Sequence, residues 1–244
     1  MKAVLLVAGF GSRLRPLTLD SPKSLLPIGD SNTLEHMMTK LYRGGIRSFV
    51  VVCGYKADTI KAYLAEHFPS YDITYVMNEQ YETTNTGYSL LLGRSYLEGE
   101  TFIKLDGDVL FDQQIVDRLV AAADGDSYVC VDNTAVDEEV IKVVCDADGA
   151  VLRIGNKLPV AEAAGESIGI ERIDSAASGI LFAELERMLQ DPGNHQNYYE
   201  VAYDTIISEG APFRTIDITG LHWVEMDNHD DYALAQKFFG GTKP

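Results

Sequence analysis

The sequence predicts an α/β fold in which a mostly parallel central sheet is flanked by helices. Short apolar runs alternate with segments of helical periodicity through the first half of the chain, an order typical of a parallel sheet covered on both faces. With 46% hydrophobic and 23% charged residues, the chain can bury a large core. Its length of 244 residues favours one domain with an appended lobe over two independent domains.

The first half of the chain supplies the predicted parallel strands and their helices. Residues 3–8 form a continuous apolar run that ends at Gly9, as expected for a strand buried on both faces. A second such run covers residues 46–53, and further strands are predicted near 73–77 and 102–105. Apolar residues at helical spacing predict helices at 34–43, which ends before Gly44, at 60–68, at 88–96 and at 115–123.

The second half of the chain departs from this alternation after about residue 128. Residues 140–145 and 150–154 flank the turn sequence DADG, which predicts an antiparallel hairpin. Helices are predicted near 176–190 and 198–208, strands at 213–218 and 221–226, and a helix at the C-terminus. Since no Pro/Gly/Ser-rich linker separates the halves, we interpret residues 1–244 as a single domain. We expect a core at about 1–132, a smaller mixed α+β lobe with the end of the core sheet at about 133–228, and a C-terminal helix and tail at 229–244.

Charge and cysteine content exclude several classes of partner. The balance of 37 acidic and 20 basic side chains gives a net charge of -17, which repels a phosphodiester backbone. The three cysteines are widely spaced and are expected to be reduced core thiols. The apolar run near the N-terminus is too short for a signal peptide or a membrane span. We therefore expect a cytoplasmic protein that binds neither nucleic acid nor membrane.

A glycine-containing loop follows the first strand directly. Gly9 and Gly11 in GFGSRLRPLT allow backbone amides to turn inward as an anion-binding nest. Arg13 and, in the following SPKSLLPI, Lys23 bring positive charge to the same strand end. Such a loop suits a triphosphate. The spacing alone also allows a tight turn with a solvated arginine and lysine.

Two acidic pairs stand at predicted strand ends. Asp106 and Asp108 in KLDGDVLF, and Glu225 and Asp227 in VEMD, are each two residues apart, so in extended chain each pair projects from one face. Carboxylate oxygens suit Mg²⁺. One aspartate could instead cap the following helix, but the carboxyl edge of a parallel sheet favours a ligand. Gly107 is expected to let a ligand approach the backbone.

The motifs LVAGFGSRLRPLT and SPKSLLPI together resemble the signature loop of the nucleotidylyltransferase family, which makes nucleotide-diphospho-sugars and nucleotide-diphospho-alcohols. The similarity extends over most of the chain through TNTGYSL, KLDGDVLF, IGNKLP, GESIGI and HWVEMDN. This resemblance implies a Rossmann-like sheet with an acceptor-binding lobe. It also implies Mg²⁺-dependent transfer of a nucleotidyl group from a nucleoside triphosphate to a small phosphorylated acceptor, with release of pyrophosphate and no covalent enzyme intermediate.

The resemblance also assigns roles to individual residues. It makes Asp108 and Asp227 the metal ligands, directs Lys23 at the α-phosphate and directs Lys157 at the acceptor phosphate. The implied catalytic residues are Arg13, Lys23 and Lys157; the nucleotide-binding residues are Ala8, Gly9, Gly11, Ser12, Arg13, Asn85, Gly87 and Asp106; the acceptor-binding residues are Lys157, Glu166 and Glu200. From the residues alone, Lys157 could face solvent and Asn85 could be an ordinary N-cap.

The donor and the acceptor are specified less closely. The later motifs are more similar to cytidylyltransferases acting on inositol phosphate, choline phosphate or aminoethylphosphonate, so CTP is the expected donor. Choline requires an aromatic cage, to which Tyr128, Tyr198, Tyr199 and Trp223 could contribute. The stretch directly after Asp132 has no aromatic residue where the choline enzymes would have one, which disfavours choline. One alternative is a hexose-1-phosphate nucleotidylyltransferase that uses UTP, dTTP or GTP. Another is a nucleotide-sensing module of the same fold without turnover. The presence of Arg13, Lys23, Asp108 and Asp227 disfavours this alternative, because a degenerate member of the family is expected to lose such residues. The sequence names neither the acceptor nor the oligomeric state.

Overall fold

The structure is a computed structural model that describes residues 1–241, and it contains thirteen strands and eight helices. The strands are β1 (Lys2–Val7), β2 (Pro27–Ile28), β3 (Ser31–Asn32), β4 (Ser48–Cys53), β5 (Asp72–Met77), β6 (Phe102–Asp106), β7 (Val109–Phe111), β8 (Ser127–Asp132), β9 (Lys142–Cys145), β10 (Val151–Gly155), β11 (Gly165–Ile173), β12 (Phe213–Asp217) and β13 (Trp223–Glu225). The helices are α1 (Thr33–Arg43), α2 (Ala57–His67), α3 (Thr86–Leu92), α4 (Arg94–Leu97), α5 (Gln113–Ala121), α6 (Ser175–Leu189), α7 (Glu200–Ser208) and α8 (His229–Phe239).

The central sheet has nine strands and is organised around β1. This strand pairs in parallel with β4 on one side and with β6 on the other, and β5 extends the parallel order beyond β4. The carboxyl ends of these four strands therefore meet at one edge of the sheet. Beyond β6 the sheet becomes mixed, because β11 runs antiparallel to β6 and β8, the hairpin β9–β10 is antiparallel, and β12 runs parallel to β8.

Separate hydrophobic cores cover the two faces of the sheet. Ala3, Leu5 and Val7 of β1 belong to the core that includes residues of α1, α2 and α5. Val4 and Leu6 belong to the opposite core, which includes residues of α3, α6 and α7. Because alternate side chains of the strand enter different cores, both sets must be apolar. This accounts for the uninterrupted apolar run in the sequence.

Most of the predicted elements are confirmed, with small shifts at their ends. The helix predicted at 88–96 is wrong as a single element, because α3 ends at Leu92 with Gly93 as its cap and α4 begins at Arg94. The strands β8 and β11 were not predicted. In β11 the pattern is interrupted by Glu171 and Arg172, which resemble exposed residues in the sequence but are 0% and 1% exposed.

Two expectations drawn from composition can be compared with the structure. Cys53 and Cys130 are buried, Cys145 is half-buried, and all three carry free thiols. Within residues 1–241, no helix combines the length and the apolar character needed to cross a bilayer. The C-terminal tail predicted after α8 lies, from residue 242 onward, outside the described residues.

Candidate active site

An open cleft of about 960 Å³ lies at the carboxyl edge of the parallel strands. One wall is formed by the loop after β1 and by residues around β6 and β13, which come from distant parts of the chain. The lining also includes Glu166 of β11 and Glu200 at the start of α7. The cleft therefore lies between the predicted core and the predicted lobe.

The glycine loop lines this cleft through residues 9–13. Gly11 has a φ of 56°, a left-handed conformation that favours glycine. A Cβ built on Gly11 would also lie 3.1 Å from the Cβ of Lys23, so the two loop segments approach each other closely here. The segment is held from below because Leu14 and Leu26 are buried in a third core with residues of α8. The loop is thus fixed by packing while its glycine amides stay at the cleft surface.

Two cations and two carboxylates from remote segments meet at the mouth of the loop. The Nζ of Lys23 lies 2.6 Å from Oδ2 of Asp108 and 2.9 Å from Oδ1 of Asp227. The Nη2 of Arg13 lies 2.6 Å from Oδ2 of the same Asp227. Asp108 follows β6 and Asp227 follows β13, and the antiparallel pairing of β7 with β13 holds the two together. The structure thus joins four residues that the sequence placed at separate motifs.

Electrostatics in this group depart from those of isolated side chains. Burial by itself lowers the pKa of Lys23, but the charges of Asp108 and Asp227 outweigh it and raise that pKa. Burial opposes ionisation of Asp227, yet Lys23 and Arg13 hold its pKa below the usual range. Desolvation, followed by the charges of Asp108 and Asp227, raises the pKa of Glu225 to about 9. Two cations and three carboxyl groups are therefore crowded together at this point of the cleft.

The donor set fits a divalent cation. Asp108, Glu225 and Asp227 each offer one oxygen, and these oxygens all lie within 4.8 Å of one another. Hard carboxylate oxygens are the ligands that Mg²⁺ takes in proteins, usually one or two of them together with water and phosphate. Asp108 and Asp227 are the two ligands implied by the resemblance. Glu225 was seen in the sequence only as the partner of Asp227 in an acidic pair.

Beneath the cleft floor lies a charged network that the sequence analysis missed. The buried Nζ of Lys104 lies 2.7 Å from Oε2 of Glu171, 3.2 Å from Oδ2 of Asp106 and 3.0 Å from the carbonyl oxygen of Gly169. It also contacts the hydroxyl of Tyr199, which donates to Asp106 Oδ2 at 2.5 Å. The signal in the sequence was Lys104 itself, the first residue of KLDGD, which stands between apolar residues of the predicted strand. Asp106 and Asp108 therefore have different partners despite their spacing.

Gly107, between these two aspartates, lines the cleft and also packs closely against β1. A Cβ at this position would lie 2.5 Å from the carbonyl oxygen of Leu6 and 2.7 Å from Cγ1 of Val7. The backbone of residue 107 therefore lies against β1, and its amide donates to Leu6 at 3.0 Å. Close packing against β1 is by itself sufficient to require glycine here, and the approach of a ligand to this backbone stays a prediction.

The predicted acceptor-binding residues differ in their positions. Glu166 and Glu200 line the cleft. Burial, together with the charges of Asp137 and Asp132, raises the pKa of Glu166 to about 7. Lys157 is exposed in the turn after β10 and does not line the cleft, although its neighbour Asn156 does. The aromatic residues Tyr198, Tyr199 and Trp223, considered in the sequence for a choline cage, also line the cleft.

The predicted nucleotide-binding residues outside the glycine loop are also spread unevenly. Asn85 lines the cleft and also caps α3, because its side chain accepts from the amide of Thr86. Both interpretations of Asn85 are thus compatible with its position. Gly87 is buried, and its amide donates to the carbonyl of Asn197. Ala8 is buried, with its carbonyl accepting from the amide of Tyr55 at 2.9 Å, whereas Asp106 lines the cleft floor.

Comparison with known proteins provides an independent view of this arrangement. The chain is 30% identical over 245 residues to CMP-5'-(3-aminopropyl)phosphonate synthase of Streptomyces rubellomurinus, an alignment that covers 96% of this chain and 38% of that protein. It is 26% identical over 258 residues to CTP:phosphoglutamine cytidylyltransferase of Campylobacter jejuni, covering 96% and 98%. The chain thus spans less than half of the first relative and nearly all of the second.

The fold is also found among solved structures. CTP:phosphocholine cytidylyltransferase from Streptococcus pneumoniae superposes with a TM-score of 0.80 at 23% identity, over 97% of both chains. This likeness confirms the predicted α/β fold class. The model of the family described as nucleotidyl transferase matches residues 2–238. Since that match covers nearly the whole chain and includes the glycine loop and both metal-ligand candidates, the chain belongs to the nucleotidyl transferase family, as its motifs implied.

Proposed function

We propose that this chain is a Mg²⁺-dependent cytidylyltransferase that transfers CMP from CTP to a small acceptor bearing a phosphate or phosphonate. The observation that carries the proposal is the meeting of Arg13 and Lys23 with Asp108 and Asp227 at the mouth of the glycine loop. The printed names of the two relatives, which refer to CMP and CTP, support the choice of donor.

The reaction requires positioning and charge neutralisation rather than a protein nucleophile. An oxygen of the acceptor phosphate or phosphonate attacks the α-phosphorus of CTP and forms a new P–O bond. The bond from the α-phosphorus to the bridging oxygen breaks, and pyrophosphate leaves with that electron pair. Amides of Gly9, Gly11 and Ser12 hold the phosphates, and Arg13 and Lys23 offset the charge that develops on them.

The metal cofactor belongs to the same proposal. Asp108 and Asp227, with Glu225 beside them, are the residues that would hold Mg²⁺. When bound, Mg²⁺ neutralises phosphate charge that the two cations of the loop cannot balance alone. The proximity of the three carboxylates supports this assignment.

The lobe at about 133–228 is proposed to bind the acceptor. Glu166 and Glu200 support this role because both belong to this lobe and line the cleft. Lys157 is retained as a contact to the acceptor phosphate, since Asn156 beside it lines the cleft. Asn85, at the start of α3, is proposed to contact the base. With these assignments, the proposed site includes contacts to the triphosphate, to the base of the nucleotide and to the acceptor.

The proposal is tested by a pyrophosphate-release screen. Four nucleoside triphosphates are combined with phospho-alcohols, phosphonates and sugar phosphates, each with and without Mg²⁺. We expect release with CTP and a phospho-alcohol or phosphonate, and none without the metal. Release with a hexose 1-phosphate and UTP, dTTP or GTP selects the hexose alternative. Nucleotide binding without release under any condition selects a sensing module.

A pair of variants isolates the metal site in this screen. Asp108→Asn removes one candidate ligand at an accessible strand end and is expected to abolish Mg²⁺-dependent release while the protein stays folded. Asp72→Asn makes the same chemical change at an exposed position where β5 begins, at the opposite edge of the sheet, and should leave release unchanged. Wild-type turnover by the Asp108→Asn variant contradicts the metal assignment.

A further inference from the structure

The acceptor side of the cleft contains two carboxylate oxygens that lack partners. Glu200 is 6% exposed and lines the cleft, and its Oε2 has no hydrogen-bond partner among residues 1–241. The Oδ1 of Asp106 is also buried and unpartnered in this part of the chain. Because a buried carboxylate without a partner is costly, both oxygens point to a ligand that donates hydrogen bonds.

The neighbouring protein cation is already engaged. Lys104 directs its ammonium at Glu171, at Oδ2 of Asp106 and at the carbonyl of Gly169. Within the described chain, this cluster sets one lysine against the carboxylates of Asp106, Glu171 and Glu200. Burial raises the pKa of Glu200 to about 8 in spite of the opposing charge of Lys104. The cluster is therefore short of positive charge.

The surrounding cleft does not supply that charge. Its arginine and lysine, Arg13 and Lys23, are already paired with Asp108 and Asp227. The acceptor side adds further acidic residues to the lining, namely Asp137, Glu139 and Glu166. An acceptor with a second anionic group would meet repulsion here, and a neutral hydroxyl would donate a hydrogen bond to a buried oxygen without adding positive charge.

We propose that the acceptor is a zwitterion, with a phosphate or phosphonate at one end and an ammonium group at the other, and that Glu200 binds the ammonium together with Oδ1 of Asp106. This inference rests on the proposed function and narrows its substrate class. An ammonium supplies charge-assisted hydrogen bonds to both oxygens. The name of the phosphonate relative, which contains an aminopropyl group, is compatible with this class.

The test compares two acceptors of the same size. Ethanolamine phosphate and propyl phosphate have the same number of heavy atoms and differ in an ammonium in place of a methyl group. A site that bonds a polar group rejects the analogue lacking it strongly, so we expect kcat/KM with CTP to be about 100-fold or more higher for ethanolamine phosphate. Calorimetric Kd values for both acceptors provide the same comparison without turnover.

Variants locate the ammonium site. In Glu200→Gln we expect the preference for ethanolamine phosphate over propyl phosphate to fall to about tenfold or less. Glu209→Gln, an exposed change at the end of the same helix, should keep the full preference. If Glu200→Gln does not fold, as judged by circular dichroism, Glu200→Asp replaces it and should show a reduced preference.

The outcomes separate this inference from the proposed function. A Kd ratio of about 100 without pyrophosphate release upholds the zwitterionic ligand while the proposed function fails. Turnover of both acceptors at similar kcat/KM overturns the inference and leaves the cytidylyltransferase in place. Loss of the preference in Glu166→Gln, but not in the Glu200 variant, overturns the assignment to Glu200.

Discussion

The buried ion pair between Lys104 and Glu171 offers a direct measurement of what the cleft floor contributes to stability. Both side chains are 0% exposed, and their charged atoms lie 2.7 Å apart. Lys104→Met removes the cation and leaves the carboxylate in place. Breaking a buried pair in this way costs about 3–5 kcal/mol, because the remaining charge is neither solvated nor paired. We expect a loss of this size in the free energy of unfolding at pH 8.5.

The loss should depend on pH in a direction that the structure fixes. Burial already raises the pKa of Glu171 to about 7, although Lys104 opposes the shift, and without Lys104 the pKa rises further. A carboxyl whose folded-state pKa exceeds its unfolded value of about 4.5 stabilises the fold at low pH and loses that contribution as the pH rises. The defect of the variant should therefore be about 2 kcal/mol smaller at pH 5.5 than at pH 8.5, since each pH unit contributes about 1.4 kcal/mol.

Urea unfolding followed by circular dichroism at the two pH values measures both effects. Lys2→Met serves as the control, because its ion pair with Glu100 spans 3.3 Å at the surface and is worth less than about 1 kcal/mol. The double variant Lys104→Met/Glu171→Gln should recover about 2 kcal/mol at pH 8.5, since it removes the carboxylate that lay nearest to the Nζ of Lys104. Equal losses for Lys104→Met at both pH values, or a loss no larger than that of Lys2→Met, would refute the reasoning.

Two further predictions concern residues of the cleft wall. Burial and the charge of Asp137 raise the pKa of Glu166 to about 7, so ionisation of Glu166 weakens the fold as the pH rises from about 4.5 to 7. After allowance for solvent screening, Glu166→Gln should increase the free energy of unfolding by about 1 kcal/mol at pH 8.5 and leave it unchanged at pH 4, as measured by urea unfolding. An equal increase at both pH values would contradict ionisation of Glu166 as the cause. Gly107→Ala places a Cβ 2.5 Å from the carbonyl oxygen of Leu6 and should lower the free energy of unfolding by about 1–3 kcal/mol. An unchanged midpoint of urea unfolding would show that β1 and β6 can move apart to accept the methyl group.

Local sequence patterns were sufficient to predict a helix or strand where the pattern of apolar residues matches the pattern of burial. The run at β1 predicts a strand because both of its faces enter apolar cores. The pattern fails at β11, where Glu171 and Arg172 are charged yet buried: the first pairs with Lys104, and the second with Asp124 and the end of α5. Tertiary partners decide such positions, and no local spacing reports them.

The candidate site was predictable where a motif carries its own geometry. The glycine loop and Asp108 each follow a strand of the same parallel sheet, so their meeting at one edge follows from topology. The link between Lys104 and Tyr199 spans 95 positions and depends on where α7 packs. The position of the Lys157 side chain depends on the direction in which the hairpin β9–β10 extends. The turn sequence DADG predicts the hairpin but does not specify that direction.

An acidic chain is expected to repel the polyphosphate donor that we propose for it. The ion pairs of Lys23 and Arg13 with Asp108 and Asp227, next to the glycine loop, bear on how such a donor could bind. Lys23 and Arg13 face the cleft, but each is already neutralised by Asp108 or Asp227. A free nucleotide would have to draw the cations away and leave carboxylates unpaired beside its own phosphates, which is unfavourable. A nucleotide that arrives with a divalent cation offers the carboxylates a replacement partner while its phosphates take Lys23 and Arg13. On the proposed function, the excess of acid at this edge would therefore favour a donor that arrives with a divalent cation over the free nucleotide.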